Sequence, residues 1–106
     1  MAVSKMIYLF LIDGISHLCF NKDFTQCALS KKDSNVYIYE VKDIKNPEKW
    51  VLLHTLKNHF LYISGLDWCP ATNRIVTCSY DKTAIIWDYA NNTWNPNYLV
   101  ATTKLG

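Results

Sequence analysis

The apolar positions of this chain fall in short runs with a period of two, and no eleven-residue stretch carries a helical stripe. In the second half, "ISGLDW" alternates Ile63, Gly65 and Asp67 with Ser64, Leu66 and Trp68. Pro70-Ala71-Thr72-Asn73 reads as a turn. Ile75 to Cys78 is rich in β-branched residues and reads as a strand. Tyr80-Asp81-Lys82 is a second turn, Thr83 to Trp87 a third strand and, after Asn91-Asn92-Thr93, Tyr98 to Thr102 a candidate fourth. The first half gives strands near 15–20, 25–30, 35–40 and 50–55, with Pro47 holding "KDIKNPEKW" outside any ladder.

The halves repeat one another. A shift of 48 positions lays the 26 residues from Ile15 over the 26 from Ile63 without a gap. Ile15 meets Ile63, Leu18 meets Leu66, Phe20 meets Trp68 and Asp33 meets Asp81; Tyr39-Glu40 meets Trp87-Asp88. Aromatic lies over aromatic and acid over acid, in the same order. Units of four short antiparallel strands at this period predict an all-β chain of about two β-propeller blades, the first over 15–56 and the second over 59–103. Such a unit buries only part of its apolar surface by itself.

Composition agrees with a packed chain. Of 106 residues, 50% are hydrophobic and 14% aromatic, and three glycines and three prolines leave no room for a low-complexity linker. A net charge of +2 is too small and too scattered to predict nucleic-acid binding. Lys31-Lys32, followed by Asp33, reads as a solvated turn. The seven apolar residues Met6 to Ile12 are too few to span a bilayer and stop at Asp13 with no cleavage site beyond, so they read as a buried strand.

Catalytic chemistry finds little support. There is no Gly-rich phosphate loop, Gly-x-Ser-x-Gly or His-Glu-x-x-His. Cys19, Cys27, Cys69 and Cys78 form no Cys-x-x-Cys pair, and reduced, buried thiols are the simpler expectation. A zinc or thiol enzyme built from them with His17, His54 and His59 is the remaining alternative, though their spacing fits no closed zinc site.

Asp81 invites a more specific reading. As an acid in a tight turn it can bond its own backbone. It also lies six residues before Trp87, downstream of His59, and Thr77 and Ser79 share one strand face. If the strands fold back, the aspartate can bond the imidazole, the imidazole a hydroxyl, and the hydroxyl the indole N–H.

His59, Asp81-Lys82-Thr83 and the terminal Trp87-Asp88 resemble the WD-repeat family. The resemblance implies a buried bonded tetrad of His59, Thr77, Asp81 and Trp87, with Ser79 the second choice for the hydroxyl. Asn58 stands where the family has Gly, and the first unit lacks the histidine, so the resemblance implies no tetrad there. From about Met6 to Val100 the chain further resembles the N-terminal portion of the subunit 1 family of the actin-related protein 2/3 complex. Asn21-Lys22-Asp23, Thr25-Gln26, Asn73 to Cys78, Thr93-Trp94 and Pro96 carry that likeness; Phe24, Lys31-Lys32 and Phe60-Leu61-Tyr62 depart from it.

That resemblance implies a non-catalytic structural subunit, without cofactor or metal, that helps nucleate branched actin filaments in the cytoplasmic actin cytoskeleton. Its implied partners are the other subunits of the complex and actin filaments, not nucleic acid, membrane or a small-molecule substrate. The alternative is a WD-repeat scaffold of some other complex. Residues 6–12 would be a ring-closing strand, and the chain would be a piece of a seven-bladed ring that self-associates on size-exclusion chromatography when alone.

Overall fold

A computed structural model describes residues 14–101, the last four by backbone alone. The strand expected over 6–12 lies outside the described residues. The elements are β1 (His17–Phe20), β2 (Gln26–Ser30), β3 (Asn35–Glu40), a 3-10 turn (Pro47–Lys49), β4 (Val51–Lys57), β5 (Ile63–Trp68), β6 (Ile75–Ser79), β7 (Thr83–Ala90) and β8 (Thr93–Ala101). They form two four-stranded sheets in the orders β1-β2-β3-β4 and β5-β6-β7-β8, antiparallel throughout.

The sheets pack face to face because alternate residues of their strands are apolar. Ala28, Val36, Ile38 and Leu56 of the first sheet meet Ile63, Trp68, Ile75, Ile85, Trp87 and Trp94 of the second in one core. Each large side chain buried there contributes about 1.5–3 kcal/mol. This core therefore outweighs any single polar contact between the sheets. The opposite face of the first sheet carries a separate cluster of Ile15, Cys27, Leu29 and Trp50, with Leu18 and Phe20 packed against it. On the second sheet, Val76, Cys78, Ala84 and Ile86 alternate with the core positions and are only half-buried.

A bulge and a hairpin depart from the strand pattern expected of the sequence. A β-bulge between Ile63 and Gly65 shifts the register against β6, which pairs Ile63 with Ser79 and Gly65 with Cys78. The extra residue reverses the phase, so Ile63 reaches the core that Trp68 fills and Leu66 packs against. The sequence pattern had set Ile63 on the face opposite Leu66 and Trp68. The last hairpin is also tighter than its sequence suggests. Asn91 and Asn92 both adopt positive φ, 55° and 62°, and Ala90 pairs directly with Thr93. Two left-handed asparagines close a two-residue turn whose twist matches the strands. β7 therefore continues past Trp87, and β8 begins at Thr93 rather than near Tyr98. Pro96 is tolerated because β8 is an edge strand with a register irregularity opposite Ile86 and Trp87.

Candidate functional site

The second sheet brings the four expected side chains together. Thr77 lies mid-β6 and Trp87 on β7, each pointing into the inter-sheet core, where they are fully or almost fully buried. His59 enters from the β4–β5 connection and Asp81 from the β6–β7 turn. Their side chains are only 2% and 8% exposed. Trp87 Nε1 donates to Thr77 Oγ1 at 2.9 Å. Thr77 Oγ1 lies 2.7 Å from His59 Nε2, and His59 Nδ1 lies 3.2 Å from Asp81 Oδ2.

Donor counting orders this chain. The indole is a donor only, and an ionised carboxylate an acceptor only. With the imidazole neutral and its proton on Nδ1, Trp87 donates to Thr77, Thr77 to His59 Nε2, and His59 to Asp81. Each proton has one acceptor and none is left over. The arrangement runs from the core to the turn without leaving a buried polar atom among the four unsatisfied.

Asp81 is tied down further by groups that the sequence did not single out. Its Oδ2 accepts from the Phe60 backbone N–H at 2.9 Å, and its Oδ1 from the Thr83 N–H at 2.9 Å and from the Thr83 hydroxyl. Thr83 Oγ1 also lies 3.1 Å from His59 Nδ1. The Asp-x-Thr spacing was the available signal for Thr83, since a turn aspartate reaches the residue two places on. Ser79, the second choice for the hydroxyl, points elsewhere: it donates to the Leu61 carbonyl at 2.9 Å and accepts from the Asp81 N–H at 3.1 Å. The terminal acid Asp88 accepts from Arg74 Nε at 2.7 Å and from Asn97 Nδ2, bracing β7 between its neighbours.

Burial pushes the Asp81 carboxyl up, but hydrogen bonds from the Thr83 hydroxyl, the Phe60 and Thr83 amides and His59 outweigh it and hold the group at about 2 against an ordinary 3.8. A carboxylate whose value falls on folding adds stability above its unfolded value and loses it as the pH drops through the folded one. The contribution, on the order of 2 kcal/mol, is therefore full above pH 3.8 and fades toward about 2. Urea midpoints of the chain and of its Asp81→Asn variant are expected to converge across that window. A gap of constant size would contradict the assignment.

The first sheet keeps only the turn. Asp33 Oδ1 accepts from the Asn35 N–H at 3.0 Å, as Asp81 does from Thr83. Its other oxygen accepts from the Tyr37 hydroxyl at 2.6 Å. Tyr39 stands where the second sheet has Trp87. Tyrosine thus caps the carboxylate that histidine caps in the second sheet.

The zinc alternative does not assemble. Among the described residues, no three His, Cys, Asp or Glu side chains form a group suited to a metal. Burial, with a smaller push from the Asp67 charge, raises the Cys19 thiol to about 12, and burial raises Cys27 as well. Neither is a ready nucleophile, whereas hydrogen bonds from the Thr72 side chain and amide and from the Ala71 amide lower the Cys69 thiol. His54 stacks edge-on against Tyr89 at 5.6 Å, and His59 is committed to the bonded chain.

Comparisons with known proteins bear on the repeat and on the fold. The family model "WD domain, G-beta repeat" matches residues 50–88. Actin-related protein 2/3 complex subunit 1A-A of Xenopus laevis is 38% identical over 94 residues, covering 89% of this chain and 24% of that protein. Actin-related protein 2/3 complex subunit 1A of Arabidopsis thaliana is 28% identical over 83% of this chain and 22% of its own length. The chain thus spans about a quarter of the length of these relatives. Among solved structures, the Cps50 (Swd1) β-propeller domain of Myceliophteria thermophila superposes with a TM-score of 0.69 at 18% identity, over 85% of this chain and 25% of that one. Residues 50–88 match the WD-repeat model, and the two four-stranded sheets have the fold of β-propeller blades.

Proposed function

We propose that the chain serves as a non-catalytic subunit of an actin-related protein 2/3 complex. There it supplies interface and position for the nucleation of branched actin filaments in the cytoplasmic actin cytoskeleton. The observation that carries this reading is the similarity to subunit 1A-A, 38% identical across 89% of the chain. That span extends well beyond the residues matched by the generic repeat. The bonded chain of His59, Thr77, Asp81 and Trp87 supports a structural role. Its polar atoms bond one another in the interior, and His59 and Asp81 are almost wholly shielded from solvent. A buried histidine and acid used this way hold a fold together and offer no substrate a free base.

In the same reading the two sheets are neighbouring blades, residues 15–56 and 59–103. Further blades would cover the outward faces that carry Leu18 and Phe20 on one side and Val76 and Ile86 on the other. Complete propellers bury such faces against the next sheet.

Affinity purification of the tagged full chain from cell extract tests the assignment. Recovery of both actin-related proteins in fixed ratio with the chain is the expected result. Recovery of a different assembly, without either actin-related protein, would replace this function with that of a scaffold for another complex.

A further inference from the structure

One end of the two sheets carries an apolar patch with a basic surround. Phe60 is 89% exposed and Tyr80 67%, and Leu61 and Tyr62 are each more than half exposed. They are held out rather than left loose. The Phe60 N–H donates to Asp81, the Leu61 carbonyl accepts from Ser79 Oγ, and the Tyr62 carbonyl accepts from the Tyr80 N–H at 3.0 Å. Every residue of the 60–62 loop is thus tied by its backbone to the β6–β7 turn while its side chain faces solvent. Large apolar side chains fixed in water have no stabilising role in the chain itself, and such patches mark contact surfaces.

Lysines outnumber acids around the patch. Lys57 precedes the loop and Lys32 lies exposed in the β2–β3 turn of the first sheet; Lys82 follows Tyr80, and Lys31, beside Lys32, holds its ammonium 5.3 Å from the centre of the Tyr37 ring. That turn is joined to the loop by the Ile63 N–H donating to the Asp33 carbonyl at 3.3 Å. The two described acids at this end are turned to internal partners, Asp33 to Tyr37 and Asn35, and Asp81 to His59, Thr83 and Phe60. The remaining described acids lie toward the other end, on the loops after β1 and β3 or in the far halves of β3, β5 and β7.

We propose that this end is a peripheral binding surface for an anionic membrane, with Phe60, Leu61, Tyr62 and Tyr80 entering the headgroup layer and the lysines resting on acidic lipid. The shape favours a membrane over an acidic peptide. A peptide side chain needs a recess, whereas these four side chains stand out into solvent and, among the described residues, line neither of the inter-sheet cavities of about 280 and 160 Å³ that Trp94 borders. A protruding loop with two aromatic tips and exposed lysines at the same end suits the interface of a bilayer. This departs from the expectation that a membrane is no partner; among the described residues no helix is long and apolar enough to span one. A peripheral contact needs none.

Flotation of the full chain with vesicles tests the proposal, because aggregated protein pellets while bound protein rises. The chain is expected to float with equimolar phosphatidylcholine and phosphatidylserine and not with phosphatidylcholine alone. Phe60→Ala is expected to lower the partition roughly fivefold, and Lys32→Glu with Lys57→Glu roughly tenfold, with unchanged far-UV circular dichroism. Phe60→Trp is expected to retain binding and to shift its emission to the blue on the anionic vesicles. Equal flotation on both vesicle types would overturn the proposal. So would indifference to Phe60→Ala and the lysine changes together, or binding of a glutamate-rich peptide with no vesicle binding.

Discussion

Replacing Trp87 with Ala lowers the free energy of unfolding by about 3–5 kcal/mol, the largest loss expected of any single change in the second sheet. The indole is 3% exposed and sits in the core shared by the two sheets. Two contributions vanish together: the ring that fills the core, and the N–H bonded to Thr77. The ring dominates. Thr77→Ala keeps the ring and strands the Trp87 N–H and the His59 nitrogen, at a cost of about 1–3 kcal/mol. Trp87→Phe keeps most of the packing and loses only the donor, so it belongs with the threonine variant. Urea denaturation of the three variants orders them. Equal losses for Trp87→Ala and Thr77→Ala would refute the view that packing outweighs the hydrogen bond.

Asp81→Ala is the second large effect, about 3 kcal/mol. The carboxylate accepts from the Phe60 amide, the Thr83 amide and hydroxyl, and His59, and all of them lose a charged acceptor at once. Hydrogen bonds to charged groups are roughly twice as strong as neutral ones. Asp81→Asn restores one acceptor oxygen without the charge and should recover about half the loss. The damage is local as well as global. With the Phe60 anchor gone, amide exchange at Phe60 should rise well beyond what the fall in stability accounts for. A loss below about 1 kcal/mol, with Phe60 protection intact, would mean that the turn holds itself.

Much of this was legible in the chain because repetition made it so. The 48-residue shift aligned Asp33 with Asp81 and Tyr39 with Trp87, and those pairs occupy matching places in the two sheets. Period two located the strands, since a half-buried strand must alternate. It misplaced Ile63, because a bulge inserts a residue without leaving a mark in the composition. The β7–β8 hairpin was read too long because Thr93 follows two asparagines and looks like turn. Only the left-handed backbone of Asn91 and Asn92 shows that two residues suffice. His59, Asp81 and Trp87 stood out by residue type and spacing, and the resemblance to the WD-repeat family completed the set with Thr77. The Phe60 amide did not stand out, because a backbone donor has no letter in the sequence; Thr83 was signalled by its Asp-x-Thr spacing but passed over, because a threonine opening a β-strand is ordinary. Phe60-Leu61-Tyr62 stood out only as a departure from the family. Its exposure depends on which atoms anchor it, and that emerges only once the strands are folded.

The central claim is that indole, hydroxyl, imidazole and carboxylate act as one unit. Thr77 and Asp81 are not bonded to each other and communicate through His59. A double-mutant cycle of Thr77→Val and Asp81→Ala, read by urea unfolding, is the most direct test. The account predicts that the two losses fall short of additivity by about 1 kcal/mol, because either change alone already breaks the chain. Losses that add to within about 0.3 kcal/mol would mean that the four groups are independent neighbours, and the claim would fail.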